Sequence, residues 1–245
     1  LEGSIIKTFT SMNLDEKIIS ALKDLDYEEA TEIQKKAIPI ALKRRDILAA
    51  AQSGTGKTAA FLLPILAELL ETKQTKTILR TLILVPTREL ASQISKAVED
   101  FSKYMDISSL AMVGGVSTKD QEKKIAKGID ILVATSGRLM EHLKNGTVDL
   151  SSVTTVVIDE VDTMLDMGFL EDIEKILPNV GPKRQIMMFS ATMNQNVKKL
   201  AKEFLTDPVV IEVAQQRSAV KIIDQQIVLV DEANKAAALS YIIGS

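Results

Sequence analysis

The sequence predicts an α/β fold: a mostly parallel sheet with helices on both of its faces. Short and nearly continuous apolar runs recur along the chain, as they do in strands that are buried on both sides. Helical patterns separate most of these runs, which is the alternation of a doubly wound sheet. Hydrophobic residues make up 46% of the chain and charged residues 26%, which is ordinary for a soluble globular protein.

Two helices are predicted before the first strand. The apolar spacing predicts amphipathic helices over residues 14–25 and 33–42, and Asn13 is a suitable N-cap for the first. Seven strands follow, over residues 47–51, 81–85, 110–113, 129–134, 155–158, 186–189 and 209–213. Helices between them are predicted over residues 58–70, 89–102, 170–177 and 197–204. We expect the loops at the carboxyl ends of the strands to form the ligand site.

The pattern changes after residue 213. A polar stretch over residues 215–220 precedes a strand-like run at 227–230 and a helical pattern that ends at 243. A chain of 245 residues can hold one well-buried domain and the start of another. We therefore predict one domain over residues 1–214 and, over residues 215–245, a linker with the first strand and helix of a second domain.

The composition excludes several kinds of site. The chain has no cysteine, which excludes disulfides and thiolate metal sites, and its single histidine, His142, cannot form a site of several imidazoles. The net charge of −3 gives no sign of nucleic acid, so such a site has to rest on local motifs. No apolar run approaches the roughly 18 residues of a membrane span, and the N-terminus lacks a secretory pattern. We expect a cytoplasmic protein.

A phosphate loop is predicted between the first long strand and the helix that follows it. Gly54 and Gly56 allow the backbone to curl so that its N–H groups point at a phosphate, and the helix N-terminus adds a positive dipole end. Lys57 would reach the β- and γ-phosphates, and the Thr58 hydroxyl would bind Mg²⁺. The usual first glycine is replaced by Ala51. The predicted Mg-ATP contacts are Ala51, Gln52, Ser53, Gly54, Thr55, Gly56, Lys57 and Thr58.

Two adjacent carboxylates end a second apolar strand. Asp159 and Glu160 follow the run over residues 155–158. In phosphate-loop enzymes the first such acid holds Mg²⁺, and the second can orient the attacking water as a general base. The predicted catalytic residues are therefore Lys57, Thr58, Asp159 and Glu160, with Thr58 and Asp159 as the metal ligands.

These acids carry a family resemblance. Asp159-Glu160-Val161-Asp162 resembles motif II of the DEAD-box RNA helicases, with valine in place of the usual alanine. Upstream, the residues that resemble the adenine-recognising Q motif are Phe9, Tyr27, Thr31 and Gln34, while Asp26 and Ala30 replace its glycine and proline. A glutamine amide can donate to N7 of adenine and accept from its exocyclic amine, which would exclude guanine.

Further motifs of the same family follow in order. Segments 86–90 and 135–138 resemble motifs Ia and Ib, with Ser136 in place of proline, and Gly114-Gly115 resembles the GG element. In the family these motifs line the RNA backbone, so the expected RNA contacts are Pro86, Thr87, Arg88, Gly114, Gly115, Thr135, Gly137 and Arg138. Ser190, Ala191 and Thr192 resemble motif III, which in the family couples the ATP and RNA sites partly by bonding to the acid that is Asp162 here.

The resemblance covers residues 9–213 and implies the first RecA-like domain, a P-loop NTPase fold, of an ATP-dependent RNA helicase. The family's second RecA-like domain, with its arginine fingers, has no match here beyond an opening strand. We therefore expect a chain that binds ATP and Mg²⁺ but unwinds RNA poorly or not at all. The expected partners are RNA, bound through its sugar-phosphate backbone without sequence preference, and the second domain of the same full-length chain. We expect a monomer.

Three other interpretations stay open. A DNA helicase or translocase shares the phosphate loop and the acidic motif. A nucleotide-gated clamp would grip RNA or a partner without unwinding. The residues that replace the family's usual ones are compatible with it, namely Val161, Ser136, Asp26 and Ala30. A small-molecule kinase also has a phosphate loop, but it would not explain the segment 190–192 or the neighbourhood of motif II.

Overall fold

The computed structural model describes residues 8–72, 78–213 and 228–244. The chain divides into two compact units, Leu1–Ala214 and Gln215–Ser245. Each unit is described by itself, and that the second unit begins another RecA-like domain stays a prediction. No helix in the described ranges is long and apolar enough to cross a membrane.

A seven-stranded sheet forms the centre of the first unit. Its strands are β1 (Ile47–Ala50), β2 (Thr81–Val85), β3 (Ser109–Met112), β4 (Ile131–Thr135), β5 (Thr155–Ile158), β6 (Gln185–Ser190) and β7 (Val209–Glu212). Their order is β3-β4-β2-β5-β6-β1-β7, and every neighbouring pair is parallel. The mostly parallel sheet predicted from the sequence is thus confirmed, and all seven predicted strands form within two residues of their predicted bounds.

Helices cover both faces of this sheet. The helices of the first unit are α1 (Glu16–Asp24), α2 (Glu32–Ala41), α3 (Lys57–Glu71), α4 (Arg88–Phe101), α5 (Thr118–Lys127), α6 (Ser136–Lys144), α7 (Val161–Asp166), α8 (Leu170–Ile176) and α9 (Gln195–Phe204). Alternate residues of the strands enter two separate cores. One core packs the sheet against α1 to α4, and the other packs it against α6 to α9. The buried strands therefore read as continuous apolar runs.

The start of the chain differs from the prediction. Asn13 is not the N-cap of α1, because it adopts the left-handed conformation, with φ 58°, and ends a short 3₁₀ turn at Phe9–Met12. The cap is Asp15, whose carboxylate accepts from the Lys17 amide at 2.8 Å. A cap requires extended backbone, and asparagine also tolerates the left-handed region, so residue type alone did not distinguish the two roles.

Three helices were not predicted from the sequence. They are α5, α6 and α7, which follow β3, β4 and β5. Helix α5 buries only Gln121 among its residues, so it lacks the apolar stripe that reveals a helix in sequence. Helix α7 is only six residues long, which is too short for a periodic pattern to be recognised.

The strand predicted over residues 227–230 is wrong for the part that the structure describes. Val228, Leu229 and Val230 form no strand and are exposed, while residue 227 lies outside the described ranges. A strand needs a hydrogen-bonded neighbour, and none is present within the second unit as described. The helical pattern that ends at 243 does form a helix, α10 (Lys235–Gly244). The polar stretch 215–220 lies outside the described residues.

Candidate functional site

Every motif from the phosphate loop onward follows the carboxyl end of a strand, whereas the Q-motif residues precede β1. The phosphate loop follows β1, and the segments 86–90, 114–115, 135–138, 159–162 and 190–192 follow β2, β3, β4, β5 and β6. Because all strands are parallel, these ends lie along one edge of the sheet. The fold thus brings the predicted site residues to a common edge.

The phosphate loop has the backbone conformation that its glycines permit. Gly54 and Gly56 have φ values of 80° and 92°, in the region that glycine adopts without strain. Helix α3 begins at Lys57, directly after Gly56. Ala51 is buried, and its amide donates to the Ser190 carbonyl at 3.0 Å, so the methyl group in place of glycine is accommodated inside the fold. The Thr55 hydroxyl donates to the Gln52 carbonyl at 2.7 Å, which tightens the turn around Ser53.

The side chain of Lys57 is buried without a hydrogen-bond partner. It is only 7% exposed, and its Nζ lies 3.8 Å from Oδ1 of Asp159 without a hydrogen bond to any described residue. A buried ammonium normally makes hydrogen bonds as well as an ion pair, because unsatisfied N–H donors cost free energy. An ammonium that makes no hydrogen bond, beside a helix N-terminus and a glycine turn, fits the phosphate groups of a nucleotide.

The acidic pair after β5 has two different environments. Asp159 is only 2% exposed, and burial raises its pKa to about 6, although the attraction of Lys57 and the hydrogen bond from the Glu160 amide act against this. Glu160 is half-buried and adopts the left-handed conformation, with φ 51°. A non-glycine residue held there stores strain of about 1–3 kcal/mol, and such residues cluster at functional sites.

The residues present fit a Mg²⁺ ion that is held jointly with a nucleotide. Thr58 lies in the first turn of α3 and Asp159 at the end of β5. Within the described ranges, no group of three or more His, Cys, Asp or Glu side chains could hold a metal ion by itself. Mg²⁺ is commonly held by one or two protein oxygens together with phosphate oxygens and water.

A cleft beside the phosphate loop contains the predicted Q-motif residues. It measures about 680 Å³ and is lined by Leu25, Asp26, Tyr27, Glu28, Glu29, Thr31, Gln34, Gly54 and Gly56. Gln34 accepts from the Thr31 amide at 2.8 Å and donates to the Gly56 carbonyl at 3.1 Å. It also completes a capping box with Thr31 at the start of α2. The Q-motif segment is thereby tied directly to the phosphate loop.

The aromatic residues of the Q motif, and the two residues that replace its glycine and proline, differ in how they are buried. Phe9 is buried and does not line the cleft; its ring packs 6.3 Å from that of Tyr27, which does. Tyr27 also meets Phe101 edge-on at 5.6 Å. Asp26 has a φ of 56°, so it adopts the conformation for which the family's glycine is suited. Ala30 is buried in the core.

A second, open groove of about 640 Å³ contains all of the predicted RNA contacts. It is lined by Pro86, Thr87, Arg88, Glu89, Gly114, Gly115, Thr135, Gly137, Arg138, Glu141, Met167 and Phe169. Glu89, Glu141, Met167 and Phe169 were not among the predicted contacts. Met167 and Phe169 belong to residues 164–169, a segment shortly after the acidic motif whose sequence also resembles this family, and that is the signal that could have found them. The structure therefore places the eight predicted residues together, while their binding of RNA stays a prediction.

Asp162 connects the acidic segment to the loop after β6. Its carboxylate accepts from the Ala191 amide at 3.3 Å, the Thr192 amide at 2.9 Å and the Thr192 hydroxyl at 3.0 Å. Burial by itself would raise the pKa of Asp162, but hydrogen bonds from Ser190, Thr192 and two amides together hold it below its ordinary value. The predicted bond between motif II and the segment 190–192 is therefore present, and its coupling role stays a prediction.

Comparisons with known proteins agree with this geometry. The chain is 42% identical over 224 residues to the probable ATP-dependent RNA helicase ddx27 of Dictyostelium discoideum, covering 91% of this chain and 29% of that protein. It is 39% identical over 244 residues to the RNA helicase CrhR of Synechocystis, covering 99% of this chain and 49% of that protein. The chain thus spans less than half the length of these relatives.

A solved structure matches nearly the whole chain. The DEAD box protein of the hyperthermophile Methanococcus jannaschii superposes with a TM-score of 0.81 at 34% identity, covering 98% of this chain and 64% of that one. This match confirms the RecA-like fold that the resemblance implied. Residues 31–200, well over half of the chain, match the family model of the DEAD/DEAH box helicases. The chain therefore belongs to the DEAD/DEAH box helicase family.

Proposed function

We propose that this chain is the ATP-binding part of an ATP-dependent RNA helicase that unwinds short RNA duplexes locally. The observation that carries the proposal is the buried Nζ of Lys57, which makes no hydrogen bond to a described residue and faces Asp159 at the edge where the motifs after the strands meet. Membership in the helicase family makes a small-molecule kinase an unsuitable alternative. The relatives are named as RNA helicases, which favours RNA over DNA as the strand bound.

The residues of the phosphate site have separate roles in this proposal. The Lys57 ammonium stabilises charge that develops on the transferred phosphoryl group, because it is preorganised in a buried position. Glu160 orients the attacking water and accepts its proton. Thr58 and Asp159 would hold Mg²⁺, which when bound offsets the charge of the β- and γ-phosphate oxygens.

The cleft beside the phosphate loop would select the base. Gln34 lies at its wall, and its amide has one further N–H and one further acceptor lone pair beyond the bonds to Gly56 and Thr31. Those free groups match the N7 and exocyclic amine of adenine, whereas guanine presents a carbonyl where adenine has the amine. Tyr27 offers an exposed ring at the same wall.

The groove would hold the sugar-phosphate backbone of RNA. Its lining combines glycines, which permit close approach, with hydroxyls and arginine, which contact phosphates without reading sequence. An arginine finger supplied by a second domain is worth about a thousandfold or more in rate. We therefore expect this chain to bind nucleotide but to show negligible RNA-stimulated turnover.

Nucleotide binding provides the first test. We would titrate the chain with a fluorescent ADP in Mg²⁺ buffer and compete with unlabelled ATP and GTP. Lys57→Ala should weaken binding by at least about tenfold, because a buried charge-assisted contact is lost. Lys198→Ala serves as the matched control, since that lysine is exposed on α9. Binding that survives Lys57→Ala would remove the basis of the proposal.

A second test addresses turnover and the nucleic acid. ATP hydrolysis by this chain should stay near its basal rate when RNA is added, whereas the full-length protein should be stimulated by RNA more than by DNA of the same sequence. Robust RNA-stimulated hydrolysis by this chain would contradict the expected need for a second domain. If the full-length protein bound RNA but did not unwind it, the nucleotide-gated clamp would be favoured.

A further inference from the structure

The two arginines of the proposed RNA groove have very different surroundings. Arg88 is exposed, and no hydrogen bond or ion pair joins it to another described residue. The side chain of Arg138 is only 11% exposed and is held by four partners. The sequence motifs assigned both residues the same role, and the structure separates them.

The guanidinium of Arg138 uses four of its five N–H groups within the fold. Its Nε donates to the Val113 carbonyl at 3.2 Å and its Nη2 to the Val116 carbonyl at 2.5 Å. Its Nη1 donates to the Thr118 hydroxyl at 3.0 Å and to the Glu141 carboxylate at 2.7 Å. The charge of Arg138 is thus already paired with Glu141.

These bonds span the glycine turn. The two carbonyls that Arg138 holds, those of Val113 and Val116, lie on either side of Gly114 and Gly115. Gly115 has a φ of 80°, a conformation that an unsupported chain leaves easily. A guanidinium is planar and rigid, so it fixes the separation of the groups that it bridges.

A second buried side chain supports the same turn. Gln121 donates to the Val113 carbonyl at 3.1 Å, and its Oε1 lies 3.1 Å from Nε2 of His142. On the other side of the ring, Nδ1 of His142 lies 2.8 Å from the Thr147 hydroxyl. Gln121 and His142 are both fully buried. Buried side chains of α5 and α6 therefore hold Val113, the residue directly before the glycine turn.

We infer that Arg138 is a positioning residue, which holds the Gly114–Gly115 turn in place through Val113 and Val116, and that Arg88 alone of the pair binds an RNA phosphate. The inference rests on the proposed function of the groove. Arg88 packs against the same glycines from the groove side, since a Cβ atom at Gly115 would collide with its guanidinium. The turn thus lies between an internal arginine that shapes it and an exposed arginine that carries the free charge.

The salt dependence of RNA binding distinguishes the two roles. We would measure the affinity of the chain for a fluorescent single-stranded oligouridylate over a series of KCl concentrations. Removing one phosphate contact lowers the slope of log affinity against log salt by about 0.7 for a single strand. Arg88→Gln should show this loss. Arg138→Gln should weaken binding by about fivefold to tenfold, as expected for a distorted turn, and leave the slope unchanged.

Lysine substitutions provide the matched controls. Arg88→Lys keeps a charge that can meet a phosphate, so it should retain the slope. Arg138→Lys keeps the charge but cannot bridge two carbonyls with a planar fork, so it should bind RNA as weakly as Arg138→Gln. Nucleotide affinity, which depends on the separate phosphate loop, should be unchanged in all four variants and shows that each is folded.

A measurement on the unsubstituted chain does not depend on whether the variants fold. In ¹⁵N NMR spectra, the Nε–H of Arg138 should exchange slowly with solvent, because it is hydrogen-bonded and buried, and should not shift when RNA is added. The Nε–H of Arg88 should exchange rapidly and shift with RNA. A large RNA-induced shift at Arg138 would overturn the inference.

The remaining outcomes are also decisive. An equal fall in slope for Arg138→Gln and Arg88→Gln would make Arg138 a phosphate ligand. Unchanged RNA affinity in Arg138→Gln, with unchanged amide exchange at Gly114 and Gly115, would show that it does not shape the turn. Absence of RNA binding at the lowest salt would instead refute the proposed function of the groove, and the exchange rates would still show whether Arg138 holds the turn.

Discussion

The side-chain amide of Gln34 donates a hydrogen bond to the main-chain carbonyl of Gly56 over 3.1 Å. This bond joins the first turn of α2 to the phosphate-loop residue directly before α3, 22 residues further along the chain. The group proposed to recognise the base and the loop proposed to hold the phosphates are therefore in direct contact. A change at either one is transmitted to the other.

Replacing Gln34 should affect both affinity and stability. We expect Gln34→Ala to lower ATP affinity by about tenfold and to reduce the preference for ATP over GTP, because contacts to the base and to the phosphate loop are lost together. Loss of the capping box should lower the free energy of unfolding by about 1 kcal/mol. Competition titration and urea denaturation measure these effects. Gln195→Ala, at an exposed position on α9, is the control, and equal effects in both variants would contradict the assignment.

Replacing Asp159 should stabilise the nucleotide-free chain. The folded-state pKa of Asp159, about 6, lies above 3.8, the ordinary value for an aspartate. The folded chain therefore binds the extra proton between these values, so stability falls as the pH rises through this window and is constant above it. In buffer with a chelator, Asp159→Asn should be more stable by about 1–3 kcal/mol at about pH 7.5, with no difference at about pH 4.

Urea denaturation at the two pH values tests this expectation. The attraction of Lys57, 3.8 Å away, is already contained in the pKa of about 6, so its loss in the variant needs no separate allowance. Glu203→Gln, on an exposed residue of α9, is the control and should change stability little at either pH. An Asp159→Asn variant that is less stable than the unsubstituted chain at neutral pH would show that the ionised carboxylate does not destabilise the fold.

The single histidine should titrate below its ordinary range. Burial lowers the pKa of His142, and the positive charge of Arg138 adds to the shift. The ordinary pKa of histidine is 6.5, so the unfolded chain binds more protons than the folded chain just below that pH. The free energy of unfolding therefore falls as the pH drops from 6.5 to the folded-state pKa. The Cε1–H resonance of His142 reports the titration without overlap. A titration midpoint at or above pH 6.5 would contradict this.

The bonds between Asp162 and Thr192 should contribute measurably to stability. Thr192→Val removes the hydroxyl bond at 3.0 Å but keeps the amide bond at 2.9 Å, so it should cost about 0.5–1.5 kcal/mol. Asp162→Ala removes every acceptor and leaves several donors unpaired, so it should cost about 2–4 kcal/mol. Urea denaturation measures both. Thr206→Val is the control for the threonine change, because Thr206 is exposed and its hydroxyl makes no hydrogen bond to a described residue, and a Thr192→Val effect no larger than this would argue against the bond.

Two glycines of the proposed RNA groove should respond differently to substitution by alanine. At Gly115 the φ of 80° and the nearby Arg88 guanidinium both oppose a Cβ atom, so Gly115→Ala should cost about 1–2 kcal/mol and weaken RNA binding. At Gly137, in the first turn of α6, a Cβ atom would meet nothing within 4 Å, so Gly137→Ala should be neutral or slightly stabilising. Thermal unfolding compares the pair. Equal losses of stability in the two variants would show that the backbone conformation at Gly115 does not oppose a side chain.

The helices and strands that the sequence predicted correctly are those with a strong local pattern. The strand over residues 81–85 and the strand over residues 155–158 form with their predicted bounds, since a run of apolar residues buried on both faces needs no further information. Helix α5 was missed because it packs through Gln121 and a partly buried Ile125 instead of an apolar stripe. The elements that pack against α5 set its position, and the sequence of the helix itself does not identify them.

The family motifs and the bond of Asp162 to the segment 190–192 were recognised by sequence, but the surroundings of the two arginines were not. Sequence placed Arg88 and Arg138 in equivalent roles, because both follow a strand within an RNA-contacting motif. Only the packing of α5 and α6 shows that Arg138 is enclosed by Val113, Val116 and Glu141, while Arg88 is free. Hydrogen-bond partners that lie 22 or 25 residues away in the chain have no local signature.

By itself, the sequence determined the parallel α/β sheet, the phosphate loop and the acidic strand end, because apolar periodicity and glycine turns act over a few neighbouring residues. The tertiary structure decided what each polar group faces. It leaves Lys57 without a hydrogen bond beside Asp159, and it puts the exposed run 228–230 outside any strand. These outcomes depend on which distant segments supply hydrogen-bond partners and exclude water. Such segments come into contact only in the folded chain.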